Sequence, residues 1–351
     1  MRQGNIKYLF PGNNTPQGFI SHYKDGLKGL EQVYILKGGP GTGKSTLMRK
    51  IGGSMLERGY DVEFWQCSSD NDSIDGVIIP ALSLGVIDGT PPHNMDPRYP
   101  GAVEEIVDLG SHWNRAMLKS SKKDIIALTD EIGSCYAAGY EKLAEAGALL
   151  KDQYDNELIN SASVDQMTTD LSGEIFCGGA ASRHLFSSAI TPRGIVDFSE
   201  KLSRTVRRRW LLQGSPGCGK EIIIRRLLQE ATGKGHYCEI YHPAMRPDDI
   251  QLLLIPDLEA AILDIGENMP DTLQETDRLI DCRQIGESLS PADPDELNAL
   301  INSAIDNFAR AKDIHDKLEL HYSRAMDFDA VDAVGSSLFN RILAIAAEKE
   351  E

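Results

Sequence analysis

The chain has 351 residues, of which 53 are acidic and 36 are Lys or Arg, for a formal net charge of −17. Negative charge in that excess argues against a general nucleic-acid binder or a membrane-surface binder, because both partners are polyanionic. Hydrophobic residues at 41% and charged residues at 25% are those of a globular chain, and the length exceeds one ordinary core and predicts two domains. No apolar run reaches the ~18 residues of a membrane helix, and MRQGNIKYLF lacks the long apolar region of a signal peptide. The six cysteines include no C-x-x-C pair, so reduced thiols in a cytoplasmic protein without a membrane partner are expected.

In chain order, a short strand is expected around Lys7–Phe10. Thr15-Pro16-x-Gly18 follows, a turn or helix-start signal, and then an amphipathic segment from Phe19 to Leu30. The apolar run Val33-Tyr34-Ile35-Leu36 opens into Gly38-Gly39-Pro40-Gly41-Thr42-Gly43-Lys44-Ser45, and a helical pattern runs from Thr46 to about Arg58. This is G-x-x-x-x-G-K-[ST] between a strand and a helix, the context in which the motif binds nucleotide phosphates. The glycines allow positive φ and let backbone N–H groups approach phosphate oxygens. Lys44 neutralises β/γ-phosphate charge, Ser45 supplies a hydroxyl to Mg²⁺, and the loop from Gly38 to Thr46 is the expected ATP site.

Further along, a strand is expected at Asp61–Cys67, ending in the polar stretch Ser68 to Asp72, where ligands bind beside the first loop of a parallel sheet. A short apolar helix is expected at Ile74–Leu82 and a strand at Leu84–Ile87, closed by Asp88. Residues from about 102 to 158 carry helix formers at spacings of three and four. Ser161 to Ser182, rich in Ser, Thr, Gly and Ala, reads as the connection between domains.

The same plan then restarts. At a constant offset of 176, Leu9-Phe10 aligns with Leu185-Phe186, Thr15-Pro16-x-Gly18 with Thr191-Pro192-x-Gly194, and Lys44 with Lys220. Gly38, Pro40, Gly41 and Gly43 align with Gly214, Pro216, Gly217 and Gly219. Gly59 matches Gly235, Asp72 matches Asp248, Ile79-Pro80 matches Ile255-Pro256, and Asp88 matches Asp264. About a quarter of roughly eighty aligned positions are identical, concentrated where backbone or chemistry is demanding. Strands are expected at Arg183–Phe186, Trp210–Gln213 and Tyr237–His242, and helices over 296–347. Arg204 and Arg207-Arg208-Arg209, just before Trp210, read as a solvated approach to a strand. The predicted fold is α/β, with two duplicated nucleotide-binding units at 1–175 and 176–351. Each has a parallel sheet with flanking helices, followed by a long helical hairpin at about 102–158 and 296–347.

The first unit carries the chemistry. Asp88 ends S-L-G-V-I-D, the pattern of a strand whose Asp holds Mg²⁺ opposite the loop serine, so Ser45 and Asp88 are the expected metal residues. Gly89 follows Asp88 where vigorous ATPases place a Glu, so the base that polarises water must come from elsewhere. Asp70, Asp72 and His93 are candidates, each weighed against a plain turn residue, with Asp70 preferred because its strand is expected beside the strand of Asp88 or that of the loop. The catalytic set is therefore Lys44, Asp88 and Asp70. The proline-dense stretch from Thr90 to Gly101 reads as a rigid connection in preference to a lid carrying Arg98. Arg193 is a candidate arginine finger across the domain boundary.

The second loop, Gly214-Ser215-Pro216-Gly217-Cys218-Gly219-Lys220-Glu221, retains Gly214, Gly217, Gly219 and Lys220 for phosphate binding but replaces the metal hydroxyl with Glu221. A carboxylate there adds negative charge beside the phosphates. One intact and one degenerate nucleotide site are expected.

KGGPGTGKSTLMRKIG, C-S-S-D-N-D-S-I-D-G-V-I-I-P and V-I-D-G-T-P-P-H, together with the A-I-T-P-R-G restart, resemble a family of uncharacterised bacterial tandem P-loop ATPases over essentially the whole chain. The resemblance implies the P-loop NTPase fold and ATP binding through Gly38 to Thr46, without a substrate; Glu221 departs from that pattern. Three functions compete: an ATPase whose hydrolysis rearranges the units, a small-molecule kinase, and a non-hydrolysing nucleotide-gated switch or scaffold. In each, a protein or small-molecule partner is expected to bind through the helical extensions.

Overall fold

The computed structural model describes residues 3–151, 160–175, 181–270, 272–283, 285 and 293–350. Cys177, the helical reading beyond residue 151 up to Leu158, and part of the expected inter-domain connection lie outside the described residues.

The chain is α/β and contains two six-stranded mixed sheets. Strand β1 (Ile6–Leu9) is followed by a hairpin of β2 (Gly12–Thr15) and β3 (Gly18–Ser21), then by the single-turn α1 (Tyr23–Gly26). Thr15-Pro16-Gln17-Gly18 is the tip of that hairpin, where Gly18 takes φ +93° and the Thr15 hydroxyl donates to the Gly18 carbonyl. Part of the segment expected to be amphipathic is thus strand. Its Cβ-less position permits the turn.

Next come β4 (Gln32–Lys37), α2 (Lys44–Glu57), β5 (Val62–Gln66), β6 (Ile74–Ile79), β7 (Leu84–Asp88) and β8 (Glu104–Asp108). The sheet order is β1-β5-β6-β7-β4-β8, parallel except for β6, which runs antiparallel to both β5 and β7. Two expectations are corrected here. The apolar helix expected at Ile74–Leu82 is a strand closed by a 3₁₀ turn at Pro80–Leu82, so the sheet is mixed and not parallel. All six residues of β6 are buried, and Val77, Ile78 and Ile79 are stiff at χ1 and pack well on a pleated surface, which decides for strand. The start of the expected helical region is β8, paired parallel to β4.

Helices α3 (Arg115–Ser120), α4 (Lys122–Lys151) and α5 (Ser161–Ile175) follow. The second half then gives β9 (Ala181–Phe186), β10 (Ser188–Thr191), β11 (Gly194–Asp197), α6 (Ser199–Ser203), β12 (Arg208–Gln213), α7 (Lys220–Gly233), β13 (Tyr237–His242), β14 (Leu252–Ile255), β15 (Ala260–Gly266) and β16 (Asp277–Asp281). Its sheet runs β9-β13-β14-β15-β12-β16, the order of the first sheet element for element, with β14 as its antiparallel strand. The chain ends in α8 (Pro294–Ser323) and α9 (Phe328–Glu350).

Period-two alternation places each sheet between two layers. On β4, Val33 and Ile35 face a core shared with the second sheet (Leu211, Tyr241, Leu254, Leu263), whereas Tyr34 and Leu36 face α2. The helices do not form one hairpin per half, as expected. Helix α9 lies on the first sheet, its Val331, Leu338 and Ile342 packed with Leu47 and Met48 of α2. Helix α5 lies on the second, its Val164 and Leu171 packed with Ile223 and Leu227 of α7. Helix α4 pairs with α8, where Gly139 admits the Phe308 ring. Each half therefore lends helices to the other. By length and composition α9 is also apolar enough to cross a membrane, but its buried stripe is committed to the first sheet.

Residues 176 apart meet one another. Phe10 and Phe186 exchange backbone hydrogen bonds of 3.1 and 3.0 Å, and the Asn14 amide donates to the Ile190 carbonyl at 2.8 Å. Arg193 pairs with Asp72, and the equivalent Gln17 donates to the equivalent Asp248 at 2.6 Å. These contacts are reciprocal at the constant offset, as contacts across a two-fold interface are.

Candidate functional site

The glycine loop between β4 and α2 has Gly41 at φ +67° and Gly43 at φ +85°, and Gly43 caps α2 in the left-handed region that a side chain would disfavour. Lys44 folds back over the loop. Its Nζ donates to the carbonyls of Gly38 (2.7 Å) and Gly39 (2.8 Å) and lies 3.6 Å from Asp88 Oδ2. Asp88 ends β7, directly beside β4, with Leu36 as its register partner. Its Oδ1 accepts from the Thr90 N–H and hydroxyl at 2.8 and 2.6 Å. Burial raises the Asp88 pKa, opposed by Lys44 and the Thr90 bonds. Ser45 Oγ accepts from the Ile74 N–H at 3.0 Å.

These residues lie on the wall of a cavity of about 800 Å³, within the ~300–1,000 Å³ common for small-molecule sites. Pro40, Thr42 and Thr46 line it too. Asp70 reaches this cavity, but not for the expected reason. Its strand, β5, lies between β1 and β6 and touches neither β4 nor β7; the loop after β5 carries Asp70 to the wall. There the carboxylate accepts from the Asp72 N–H (2.9 Å) and the Ser73 hydroxyl (3.0 Å), an Asx-type turn. Arg98 stacks on Tyr99 at 5.1 Å and is not among the cavity-lining residues. Lys37 straps the proline-dense stretch through the Gly89 and Met95 carbonyls, as a rigid connection requires.

His93 is buried, with Nε2 3.2 Å from Asp75 Oδ2, an ion-pair separation without hydrogen-bond alignment; its Nδ1 has no partner. Burial works against the imidazolium, yet Asp75, with Asp88 behind it, lifts the pKa above the ordinary histidine value. Asp75 escaped sequence reasoning because its segment read as a helix. The alternation around it was the signal that would have placed it.

The far wall comes from α4 and α8. Thr129, Ile132, Tyr136 and Tyr140 face in from α4, and Lys312, His315, Glu319 and Tyr322 from α8. Backbone of α8 closes on the loop: a Cβ at Gly41 would lie 3.0 Å from the Glu319 carbonyl, and one at Gly39 would meet Trp113 and Tyr322. No sequence signal links α8 to this loop, since the link is made only by tertiary packing.

At the second loop, Gly217 (φ +75°) and Gly219 (φ +100°) repeat the backbone, and Lys220 Nζ donates to Ser215 O at 2.8 Å, 3.7 Å from Asp264. Glu221 is buried, its Oε1 has no partner, and burial raises its pKa. The adjoining cavity is about 410 Å³ and includes Lys220, Asp264 and Arg246.

Comparison with protein-family models, curated proteins and solved structures gives no match for this chain.

Proposed function

We propose that this chain is a cytoplasmic, Mg²⁺-dependent ATPase that uses the first glycine loop, in a pair of duplicated P-loop NTPase units of the tandem ATPase type. The observation that carries the reading is Lys44, held between the Gly38 and Gly39 carbonyls and 3.6 Å from Asp88 at the wall of the large cavity. A phosphate chain in the loop would take the place of those carbonyls as the partner of Lys44. The repeated strand order and the reciprocal contacts at an offset of 176 support the duplication.

Ser45, Asp88, Asp70 and Asp75 give the cavity oxygen donors of the kind a hard dication takes, beside the nitrogen and sulfur of His93, His315 and Cys67. Ser45 and Asp88 would hold it, and when bound it neutralises charge building on the transferred phosphoryl group. Lys44 and the loop N–H groups orient the phosphates. Asp70 and His93, both on the cavity wall, are the groups to take a proton from the attacking water, His93 only in its neutral form, which the neighbouring Asp75 disfavours. The second loop is the degenerate site, its metal hydroxyl replaced by buried Glu221.

One observation favours a second reading. Ile132, Tyr136 and Tyr140 form a wall that a triphosphate does not require, and it suits an organic acceptor in a kinase reaction. Labelled-ATP turnover with product analysis, for wild type and Lys44→Ala, separates the two. Mg²⁺-dependent release of inorganic phosphate, lost in the variant, supports the ATPase. Label in a small organic product when cell extract is added supports the kinase, and no Lys44-dependent turnover under either condition refutes both.

A further inference from the structure

Helix α8 belongs to the second half of the chain but faces the first loop. Lys312, His315, Glu319 and Tyr322 stand at i, i+3, i+7 and i+10, so they form one stripe of the helix, and that stripe lines the cavity. Lys312 is the cation of the stripe. Its side chain is 21% exposed, with Nζ 3.4 Å from Asp70 Oδ2 and paired with Asp316 one turn along. Burial works against its charge, but Asp316 and Asp70 hold its pKa above the usual lysine value.

Asp70 keeps two hydrogen-bond donors when this lysine leaves, the Asp72 N–H and the Ser73 hydroxyl. Asp316 is largely exposed and solvated. Lys312 therefore rests on partners that can release it. The acids that line the cavity outnumber its lysines and arginine, so a triphosphate held there needs the cations that can turn to it. Asp70, Asp72, Asp75, Asp88 and Glu319 face Lys44, Arg49 and Lys312, and Arg49 is occupied with the Asp72 carbonyl at 2.6 Å. A triphosphate in the loop brings further negative charge. Of the lining cations, Lys44 belongs to the loop and Arg49 to α2, and Lys312 is the one that α8 contributes.

We propose that Lys312 is a ligand of the γ-phosphate of ATP bound at the first loop, parked on Asp70 and Asp316 until that phosphate arrives. This rests on the ATP reading above and adds how the site tells triphosphate from diphosphate. It also makes α8 the element that reports occupancy to the second half. Its Glu319 lies on Gly41 and its Tyr322 ring is 5.4 Å from that of Trp113, so a shift of α8 changes the surroundings of that tryptophan.

The test uses the full chain with Mg²⁺ and a non-hydrolysable ATP analogue or ADP, read by calorimetry and by tryptophan fluorescence. Lys312→Met is expected to bind the analogue about tenfold more weakly and ADP within about twofold of wild type, while Lys312→Arg restores the analogue's affinity. Unchanged ADP binding shows that the variant is folded. The fluorescence change on adding the analogue is expected in wild type and in Lys312→Arg and lost in Lys312→Met. Equal affinities of Lys312→Met and wild type for the analogue overturn the assignment and leave the ATP reading standing, as does an equal loss for both nucleotides. Wild type that binds neither nucleotide overturns both.

Discussion

Glu63 and Glu239, 176 residues apart, are held by the same guanidinium: Arg183 donates to Glu63 at 3.0 Å and to Glu239 at 2.7 Å. Lys7, the residue equivalent to Arg183, closes the figure with 2.5 Å to Glu239 and 3.8 Å to Glu63. Two cations and two carboxylates thus sit at the interface of the halves, all largely buried. Matched charge makes such burial tolerable, and an unmatched charge there is costly.

Arg183→Met leaves two buried carboxylates with one lysine and is expected to destabilise the chain by ~3–5 kcal/mol, measured by urea unfolding at pH 7. The same pairing has a pH signature. Burial alone would raise the Glu239 pKa, but Lys7 and Arg183 hold it far below the ordinary carboxylate value. Its stabilising contribution is therefore complete above that ordinary value and lost as pH falls toward the depressed one. Wild type loses stability in that acid range, and Arg183→Met loses less.

A second acid-sensitive feature lies at higher pH. His22, His184 and His242 stack, with ring centroids 5.0 to 6.1 Å apart. Burial, with the neighbouring rings, lowers the pKa of His22 to about 4 and that of His242 to about 3. Near pH 7 both folded and unfolded chains carry them neutral. Below about 6.5 the unfolded chain takes up protons that the fold refuses, so stability falls as pH drops from there toward 4. Urea midpoints at pH 7 and pH 5 check this, and His22→Phe is expected to shrink the difference.

Lys44→Ala is expected to abolish ATP turnover, while Lys220→Ala leaves most of it. Steady-state phosphate release from the two variants decides, and equal losses would refute the asymmetry of the two loops.

Gly139→Ala places a methyl group 2.4 Å from Cε1 of Phe308, between α4 and α8. Overpacking of this kind costs ~1–3 kcal/mol, visible as a lower Tm. Because both helices line the cavity, affinity for ATP is expected to fall as well.

Glu221→Thr removes a buried carboxylate with an unpartnered oxygen. Its raised pKa means that the charged form is penalised in the fold above the ordinary carboxylate value, and this penalty fades as the group protonates. The variant is expected to gain Tm at pH 8 and to gain less at pH 5. It also supplies at this loop the hydroxyl that Ser45 supplies at the first, so under the proposed function the stoichiometry of Mg²⁺-nucleotide binding by calorimetry should rise from one toward two.

Much of this site was legible in local pattern. Loop glycines at positive φ, a lysine starting a helix and an aspartate ending an apolar strand are demands of backbone and chemistry at short range, and Gly41, Gly43, Lys44 and Asp88 stand as that pattern implies. The segment Ile74–Leu82 is ambiguous in sequence, because a short apolar run fits a buried helix as well as a strand buried on both faces, and it folds as the strand. The same ambiguity hides Asp75, the partner of His93, and conceals that β6 separates the strand before Asp70 from β7.

The sequence by itself determined the two glycine loops, the strand that precedes each, the offset of 176 and the loss of the hydroxyl at Glu221, because each is written in neighbouring residues or in a constant register. Tertiary structure alone decided that the two halves face each other through Phe10 and Phe186, that they exchange helices, and that Lys312 lines the same cavity as the first loop. Those are pairings between distant segments. They follow from which apolar stripe finds which partner, such as Phe308 in the notch at Gly139, and no local spacing encodes that choice.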